Sequence, residues 1–283
     1  MSFWFEEPLE TELGRTLKIR CSRRLAEIKS PFQTIEVLES DYFGRILVHD
    51  KVIMLTARDE RNYHEMIAQV PLNVHPQPSR VLIIGGGDGG TLREVLKHSR
   101  VESAHLCELD EQVVEVSRRY FPKLSASFSD PRVTLFFQDG AAFVAEKEDY
   151  YDLIIVDSSD PESPAEALFD RNFYENLHRA LRPDGIAVTQ SESFIFNLDL
   201  LTSIASFASR IFTVYDYYYA LVPSYPSGII GFSFCSKQRH PLNDMLEEKA
   251  ACVPGLTYYN REIHRAAFQL PAYAVEALGR VLG

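Results

Sequence analysis

Five carboxylates and one cluster of glycines carry the chemistry open to this sequence. Asp88, Glu108, Asp139, Asp157 and Asp160 each stand at or just beyond the end of a short apolar run. Gly85, Gly87 and Gly90 satisfy G-x-G-x-x-G, directly after Val81-Leu-Ile-Ile84 and directly before the helical pattern Thr91–His98. In that setting the glycines permit a tight turn, let a ligand approach the backbone, and let helix pack close to strand. An acid about 20 positions past such a motif accepts hydrogen bonds from ribose hydroxyls, and Glu108 stands there. Asp139-Gly140 suits an adenine amino group with room for the base, although an Asp in that position serves equally as a helix N-cap. Carboxylates gathered on one rim repel each other unless cations or hydrogen-bond donors join them. The ligand they call for is a nucleoside joined to something positive. Asp88 narrows this further. Beside the glycine loop it would oppose the carboxylate of S-adenosylmethionine, whereas a decarboxylated donor carries only an amine on that arm.

Alternating strands and helices position these residues. From Val81 onward the pattern predicts strands at Ser103–Glu108, Val133–Phe137, Asp152–Val156 and Ile186–Thr189. Between them it predicts helices at Asp110–Tyr120, Ala141–Lys147 and Ala165–Leu181, the last stopped at Pro183-Asp-Gly185. A βαβ series of this kind folds as a parallel sheet with helices on both faces, and its ligands sit at the carboxyl ends of the strands. The expected fold class is therefore α/β. Ahead of it, residues 1–58 read as a small N-terminal β domain. Gln33–Glu39 partly alternates, 42–44 is a turn, and Asp50-Lys51 separates Arg45–Val48 from Val52–Leu55 as a hairpin. Asp59–Gln69 reads as a linker helix that stops before Pro71, with His75-Pro-Gln-Pro78 as a further linker and 59–283 as the catalytic domain.

Composition bounds the function. The chain has 283 residues, 46% hydrophobic and 24% charged, so it buries a sizeable core. Its net charge of -11 argues against nucleic acid and anionic membranes as partners and suits a cationic small substrate. Cys21, Cys107, Cys235 and Cys252 lie far apart, without a C-x-x-C pair, and read as free buried thiols of a reducing, cytoplasmic protein. The acidic N-terminus (Glu6, Glu7, Glu10, Glu12) lacks the form of a signal peptide. Tyr217–Ser236 is uncharged, but Pro223 and Pro226 interrupt it, so it reads as strands and a loop.

Gly85-Gly-Gly-Asp-Gly-Gly90 and Asp157-Ser-Ser-Asp-Pro161 resemble the two signature stretches of the spermidine synthase (polyamine aminopropyltransferase) family. The similarity continues through Asp59-Glu60-x-x-Tyr63-His64-Glu65-Met66, Pro164-Ala-Glu166, Tyr225-Pro-Ser-Gly228 and Tyr258-Tyr-Asn260 to Pro271. The resemblance implies a Rossmann-like, methyltransferase-type doubly wound sheet behind the small β domain, assembled as a homodimer or homotetramer. It implies decarboxylated S-adenosylmethionine as co-substrate, putrescine as acceptor, and neither metal nor resident cofactor. By the same resemblance, Gln33, Glu108, Asp139, Gly140 and Pro164 hold the adenosyl part, and His64 and Asp88 the aminopropyl arm. Tyr63, Asp157, Ser158, Ser159, Asp160, Gln190 and Tyr225 line the acceptor site, with Asp157 as acid/base and Tyr63 orienting the attacking nitrogen. Glu192 is either a partner of the far amine, with Asp160 and Tyr225, or a solvated surface acid.

The chemistry needs these residue types. An alkylamine has a pKa of about 10, so it arrives protonated and must lose a proton before it attacks. Asp157 can attract the cation and take that proton. Three departures from the family pattern stand out. His49-Asp50-Lys51 replaces the usual Leu-Asp-Gly, Met54 replaces a glutamine, and Glu162-Ser163 replaces Ile-Gly. Lys51 puts the tight turn in doubt, because lysine resists positive φ. The aromatic run Tyr215, Tyr217, Tyr218 and Tyr219 reads as strand packing, and Trp4-Phe5-Glu6-Glu7 as N-terminal packing. The alternatives are a methyltransferase on the same fold, a nicotinamide dehydrogenase, a non-catalytic polyamine-binding protein, or transfer to cadaverine, agmatine or spermidine.

Overall fold

The computed structural model describes residues 2–8, 14–159, 165–246, 248 and 253–282. At the front, β1 (Phe3–Glu7) and β2 (Leu17–Cys21) form a two-stranded antiparallel ribbon. Behind it β3 (Arg23–Lys29), β4 (Thr34–Ser40), β5 (Gly44–His49) and β6 (Val52–Thr56) form an antiparallel sheet in sequence order. The alternation along β4 is only partial because both of its faces are covered. Leu38 packs with Phe5, Ile19 and Cys21 of the ribbon. Ile35 and Val37 pack instead on Val113, Val116 and Phe121, from and just beyond α3 (Glu111–Tyr120).

The Asp50-Lys51 hairpin keeps the tight-turn geometry that lysine put in doubt. Asp50 has φ 45° and Lys51 φ 71°, while Asp50 Oδ1 accepts a hydrogen bond from the Thr34 backbone at 2.8 Å. A side chain in the left-handed region is strained by about 1–2 kcal/mol, and glycine's greater freedom when unfolded returns part of that. Lys51→Gly is therefore expected to stabilise the fold by about 1 kcal/mol, read as a raised denaturant midpoint at constant slope.

The large sheet has seven strands in the order β12-β13-β11-β10-β7-β8-β9. They are β7 (Arg80–Gly85), β8 (Ser103–Glu108), β9 (Val133–Phe137), β10 (Tyr151–Asp157), β11 (Leu181–Gln190), β12 (Val214–Leu221) and β13 (Ile229–Ser236). Strands β11 to β9 in this order pair in parallel. The other edge departs from the expected parallel sheet, since β13 pairs antiparallel with both β11 and β12. The short loop at 222–228 permits a hairpin and is too short for a parallel crossover. Along β7, Val81 and Ile83 face one core cluster while Leu82 and Ile84 face the other, so helices cover both sides. Each such side chain contributes about 1.5–3 kcal/mol by leaving water. The chain runs one way from β7 to β8 and β9, and the opposite way to β10 and β11, which opens a crevice at the carboxyl ends of β7 and β10.

Two helices differ from expectation. The stretch 165–181 is not one helix. A 3-10 turn (Glu166–Phe169) ends at Asp170, which caps a new helix (Arg171–Ala180) by accepting from Phe173 N at 2.7 Å. Helix α1 (Glu60–Leu72) runs past its expected stop and carries Pro71 in its last turn. It packs against the large sheet, and His75 and Pro78 beyond it are buried. Cys21, Cys107 and Cys235 are free and buried; Cys252 lies outside the described residues. Among the described residues no helix is long and apolar enough to cross a membrane.

Candidate active site

The crevice holds a cavity of about 450 Å³. Both parts of the chain wall it: Glu7, Gln33, His49 and Met54 from the front strands, and the ends of β7, β8, β10 and β11 from the large sheet. Every described residue to which the family resemblance gives a role lines this one cavity. Asp160 and Pro164, together with Glu162 and Ser163, lie outside the described residues.

Two glycines fix the geometry around the loop. Gly85 has φ +78°, and a Cβ there would sit 2.2 Å from the Asp157 carbonyl oxygen. Gly86 N donates to that same oxygen at 3.0 Å, so the loop is locked to the end of β10. A Cβ on Gly90 would meet the His64 ring at 2.2 Å. Bulk at either position would drive a functional side chain out of place.

Asp157 is held at both carboxylate oxygens. Tyr63 OH donates to Oδ1 and Thr91 Oγ1 donates to Oδ2, each at 2.7 Å. Burial raises the Asp157 pKa above the ordinary carboxylate range, and nearby Asp88 pushes it the same way. Tyr63, on α1, is buried beside Asp157 and stays a phenol well above its usual range, so it remains a donor. Thr91 was not singled out from sequence. It stands 66 positions from Asp157 in the chain, and only the glycine turn joins them.

His64 lies one residue further along α1 and answers the repulsion expected among the acids. Its Nδ1 meets Glu60 Oε2 at 2.7 Å and its Nε2 meets Asp88 Oδ1 at 3.3 Å. Arg93 grips Glu60 through two nitrogens at 2.9 Å. Burial opposes a charged imidazole, yet Asp88 and Glu60 together raise His64 to about 10. Burial likewise opposes ionised Glu60, but His64 and Arg93 hold it at about 2. Asp88 is lowered against its burial, chiefly by His64, and it accepts from Gly90 N at 2.7 Å. Sequence reasoning quoted Glu60 only as part of a motif and gave Arg93 no role, because their partners depend on how α1 meets the helix after the glycine loop. His64, Asp88 and Asp157 bring one ligand atom each within 4.8 Å of one another. With both nitrogens of a protonated imidazole engaged by carboxylates, this trio suits an alkylammonium better than a metal ion.

At one end of the cavity Glu108 bridges loop and strand. Its Oε1 accepts from Asp110 N at 2.9 Å and its Oε2 from Gly87 N at 3.1 Å. Burial outweighs those bonds and raises its pKa to about 7. Gln33 Nε2 donates to Asp110 Oδ2 at 3.0 Å, bringing β4's approach segment to the same wall. Asp139 does cap a helix (Gly140–Ala145), accepting from Ala142 N at 2.7 Å, and it also lines the cavity.

The other end is assembled from four separate segments. Gln190 Nε2 donates to Glu192 Oε1 at 2.9 Å. Glu192 has φ 59°, and Tyr217 OH holds its carbonyl at 2.8 Å. Glu192 is half-buried and lines the cavity, and a strained backbone kept by its surroundings is a feature of many functional positions. Tyr217 and Tyr218 are packed as expected of the aromatic run, with Tyr218 OH on Met66 O at 3.1 Å. Tyr225 OH donates to Met54 O at 2.7 Å, and Asp59 pins its loop through Ser224 N and Oγ at 2.9 and 3.0 Å. Glu7 corrects the sequence reading. It is 1% exposed, takes Ile53 N at 3.4 Å, and belongs to the cavity beside the front sheet. The strand alternation Phe5-in, Glu7-in carried that signal, because it placed an acid on an inward face.

Comparison with known proteins agrees along the whole chain. A family profile described as spermine/spermidine synthase domain matches residues 60–246, and one described as spermidine synthase tetramerisation domain matches residues 3–57. A polyamine aminopropyltransferase of Leptospira biflexa is 47% identical over 97% of each chain. Spermidine synthase 1 of Pisum sativum is 45% identical over 97% of this chain and 85% of its own. A crystal structure of spermidine synthase in complex with the transition state analogue AdoDATO superposes with a TM-score of 0.95 at 37% identity, covering 98% of this chain and 95% of that one.

Proposed function

The chain belongs to the spermine/spermidine synthase family, and from that premise we propose that it transfers an aminopropyl group from decarboxylated S-adenosylmethionine to putrescine. The products are spermidine and 5′-methylthioadenosine. A carbon–nitrogen bond forms as the carbon–sulfur bond breaks, and the electron pair of that bond neutralises the sulfonium. The leaving thioether needs no proton and no metal. The proton that must move belongs to the amine, and Asp157 takes it.

The observation that carries this reading is the contrast between two carboxylates in one cavity. Asp157 is pushed up by burial and by Asp88, which makes it a better proton acceptor, while His64 keeps Asp88 ionised. Environments that separate two acids in this way mark one as base and the other as fixed charge. Tyr63 and Thr91 fix the carboxylate so that its free lone pairs face the cavity, and the phenol orients the attacking nitrogen. Holding two cations in line supplies much of the rate gain. At the far end Gln190, Glu192, Glu7 and Tyr225 offer the second ammonium a polar seat. The front unit, matched by the tetramerisation profile, exposes Trp4 at 64%; we place the contact of a homodimer or homotetramer there, in a cytoplasmic enzyme.

The test is direct. Decarboxylated donor and an amine panel are supplied, and products are read by mass spectrometry. Spermidine from putrescine, with equimolar methylthioadenosine, is expected. Methyl transfer from the carboxylated donor, with no turnover of the decarboxylated one, would replace this reading by the methyltransferase alternative.

Donor binding should also depend on pH. Ribose hydroxyls donate best to an ionised carboxylate, and Glu108 becomes ionised only as pH rises through about 7. Methylthioadenosine is expected to bind about tenfold more weakly at pH 6 than at pH 8. Glu108→Gln, which cannot titrate, should bind weakly at both, as calorimetry would show.

A further inference from the structure

Ser158 Oγ, Gln190 Oε1 and His49 Nε2 are polar atoms of the cavity's lining residues that are shielded from solvent without a hydrogen-bond partner among the described residues. The first two belong to the acceptor half. His49 stands on the other wall, at the end of β5 and paired in register with Ile35 and Val52. Gln33 lies on the same side of the cavity, and Asp88 and Asp110 of the large sheet line the cavity close enough to act on the ring. A buried, unmet imidazole nitrogen is unfavourable unless a ligand completes it. Burial lowers the His49 pKa to about 4, against the pull of Asp88, Asp110 and Asp50. The ring is therefore neutral at working pH and offers one lone pair and one N–H. A neutral ring tolerates a sulfonium beside it, where a charged one would repel it.

We propose that His49 Nε2 accepts a hydrogen bond from the alkylammonium of the donor, the same group whose charge Asp88 balances, and so serves as a donor-specificity residue. This rests on the aminopropyl-transfer reading. Ribose hydroxyls are assigned to Glu108 on the adjoining strand, and of the three carboxylates bearing on His49 the strongest is Asp88. The lone pair must be on Nε2, so the proton is carried by Nδ1. His49 thus fills with a hydrogen-bond acceptor a wall position that an aliphatic side chain could only pad.

The experiment separates the alkylammonium from the nucleoside, because methylthioadenosine has the second without the first. His49→Leu should raise the KM for decarboxylated donor roughly tenfold or more, with the KM for putrescine and the Kd for methylthioadenosine unchanged. His49→Gln, whose amide oxygen can accept, should recover most of the loss. Nitrogen NMR of the wild-type imidazole should show Nε2 shifting on addition of decarboxylated donor and staying fixed with methylthioadenosine. Equal weakening of donor and methylthioadenosine in His49→Leu would make His49 part of the nucleoside wall and overturn the proposal, as would no change in either. Wild-type protein that binds methylthioadenosine but never turns over the decarboxylated donor would remove the premise itself, whatever the His49 variants do.

Discussion

Asp157→Asn is expected to lose about a thousandfold in kcat at pH 7.5, within the range a positioned general base supplies, while methylthioadenosine binds as in wild type. The fold should survive the change. Tyr63 OH can still donate to the amide oxygen, and Thr91 Oγ1 can turn to accept from the amide nitrogen in place of donating. What disappears is the acceptor of the proton. The pH profile makes the assignment specific. In wild type the rate should level off once Asp157 is ionised, above the ordinary carboxylate range because burial and Asp88 have raised it. In the variant no base remains, so only amine already neutral in solution can react. Its rate should then climb about tenfold per pH unit toward the amine pKa of about 10. Steady-state assays from pH 6 to pH 10 would show this. A variant within tenfold of wild type, with the same plateau, would deprive Asp157 of its role. Tyr63→Phe should fall between the two, since it keeps the base and loses only the orienting hydroxyl.

The strand–helix alternation made the core of the fold legible because parallel strands buried on both faces read as short apolar runs, as Val81–Ile84 does. The acids at the strand ends were legible for the same reason, since topology alone brings Gly85 and Asp157 side by side. Elements whose shape is set by a single side chain were less readable. Asp170 divides 165–181 by capping, which competes locally with an otherwise continuous helix pattern. The β12–β13 hairpin turns the sheet edge antiparallel through loop length, not through composition. The charge pattern of the site was legible in sign but not in balance. Five acids implied cations or hydrogen-bond donors and pointed to a positively charged ligand. One cation is in fact internal: His64, carried on α1 from 24 positions upstream of Asp88. Thr91 could not be assigned without knowing which faces meet across the crevice, and for Glu7 the alternation marked an inward acid without saying what it faces.

That internal cation leads to the second large effect, on Asp88→Asn. His64 and Asp88 form a buried pair of near-zero net charge, with Glu60 and Arg93 behind it. His64 is raised from 6.5 to about 10, so its contribution to stability is fully present below about pH 6.5 and is lost as pH rises through about 10. Removing Asp88 leaves a buried imidazolium with one partner fewer. Breaking one side of such a pair costs about 3–5 kcal/mol, and His64 relieves part of that by releasing its proton at a lower pH than in wild type. The deficit of Asp88→Asn in denaturant unfolding should therefore be largest at pH 6 and shrink toward pH 9. Substrate selection should shift with it. In the proposed reaction Asp88 holds the donor's ammonium and would repel a carboxylate. In the variant a charged His64 faces that space, so kcat/KM for the decarboxylated donor should drop about a hundredfold while ordinary S-adenosylmethionine binds more tightly than to wild type. Adding His64→Gln should undo the second effect and restore most of the stability, because neither side is then charged. If Asp88→Asn weakened both donors equally at every pH, with unchanged stability, the pair would have no part in reading the donor's charge, and discrimination would have to come from His49 and the shape of the cavity.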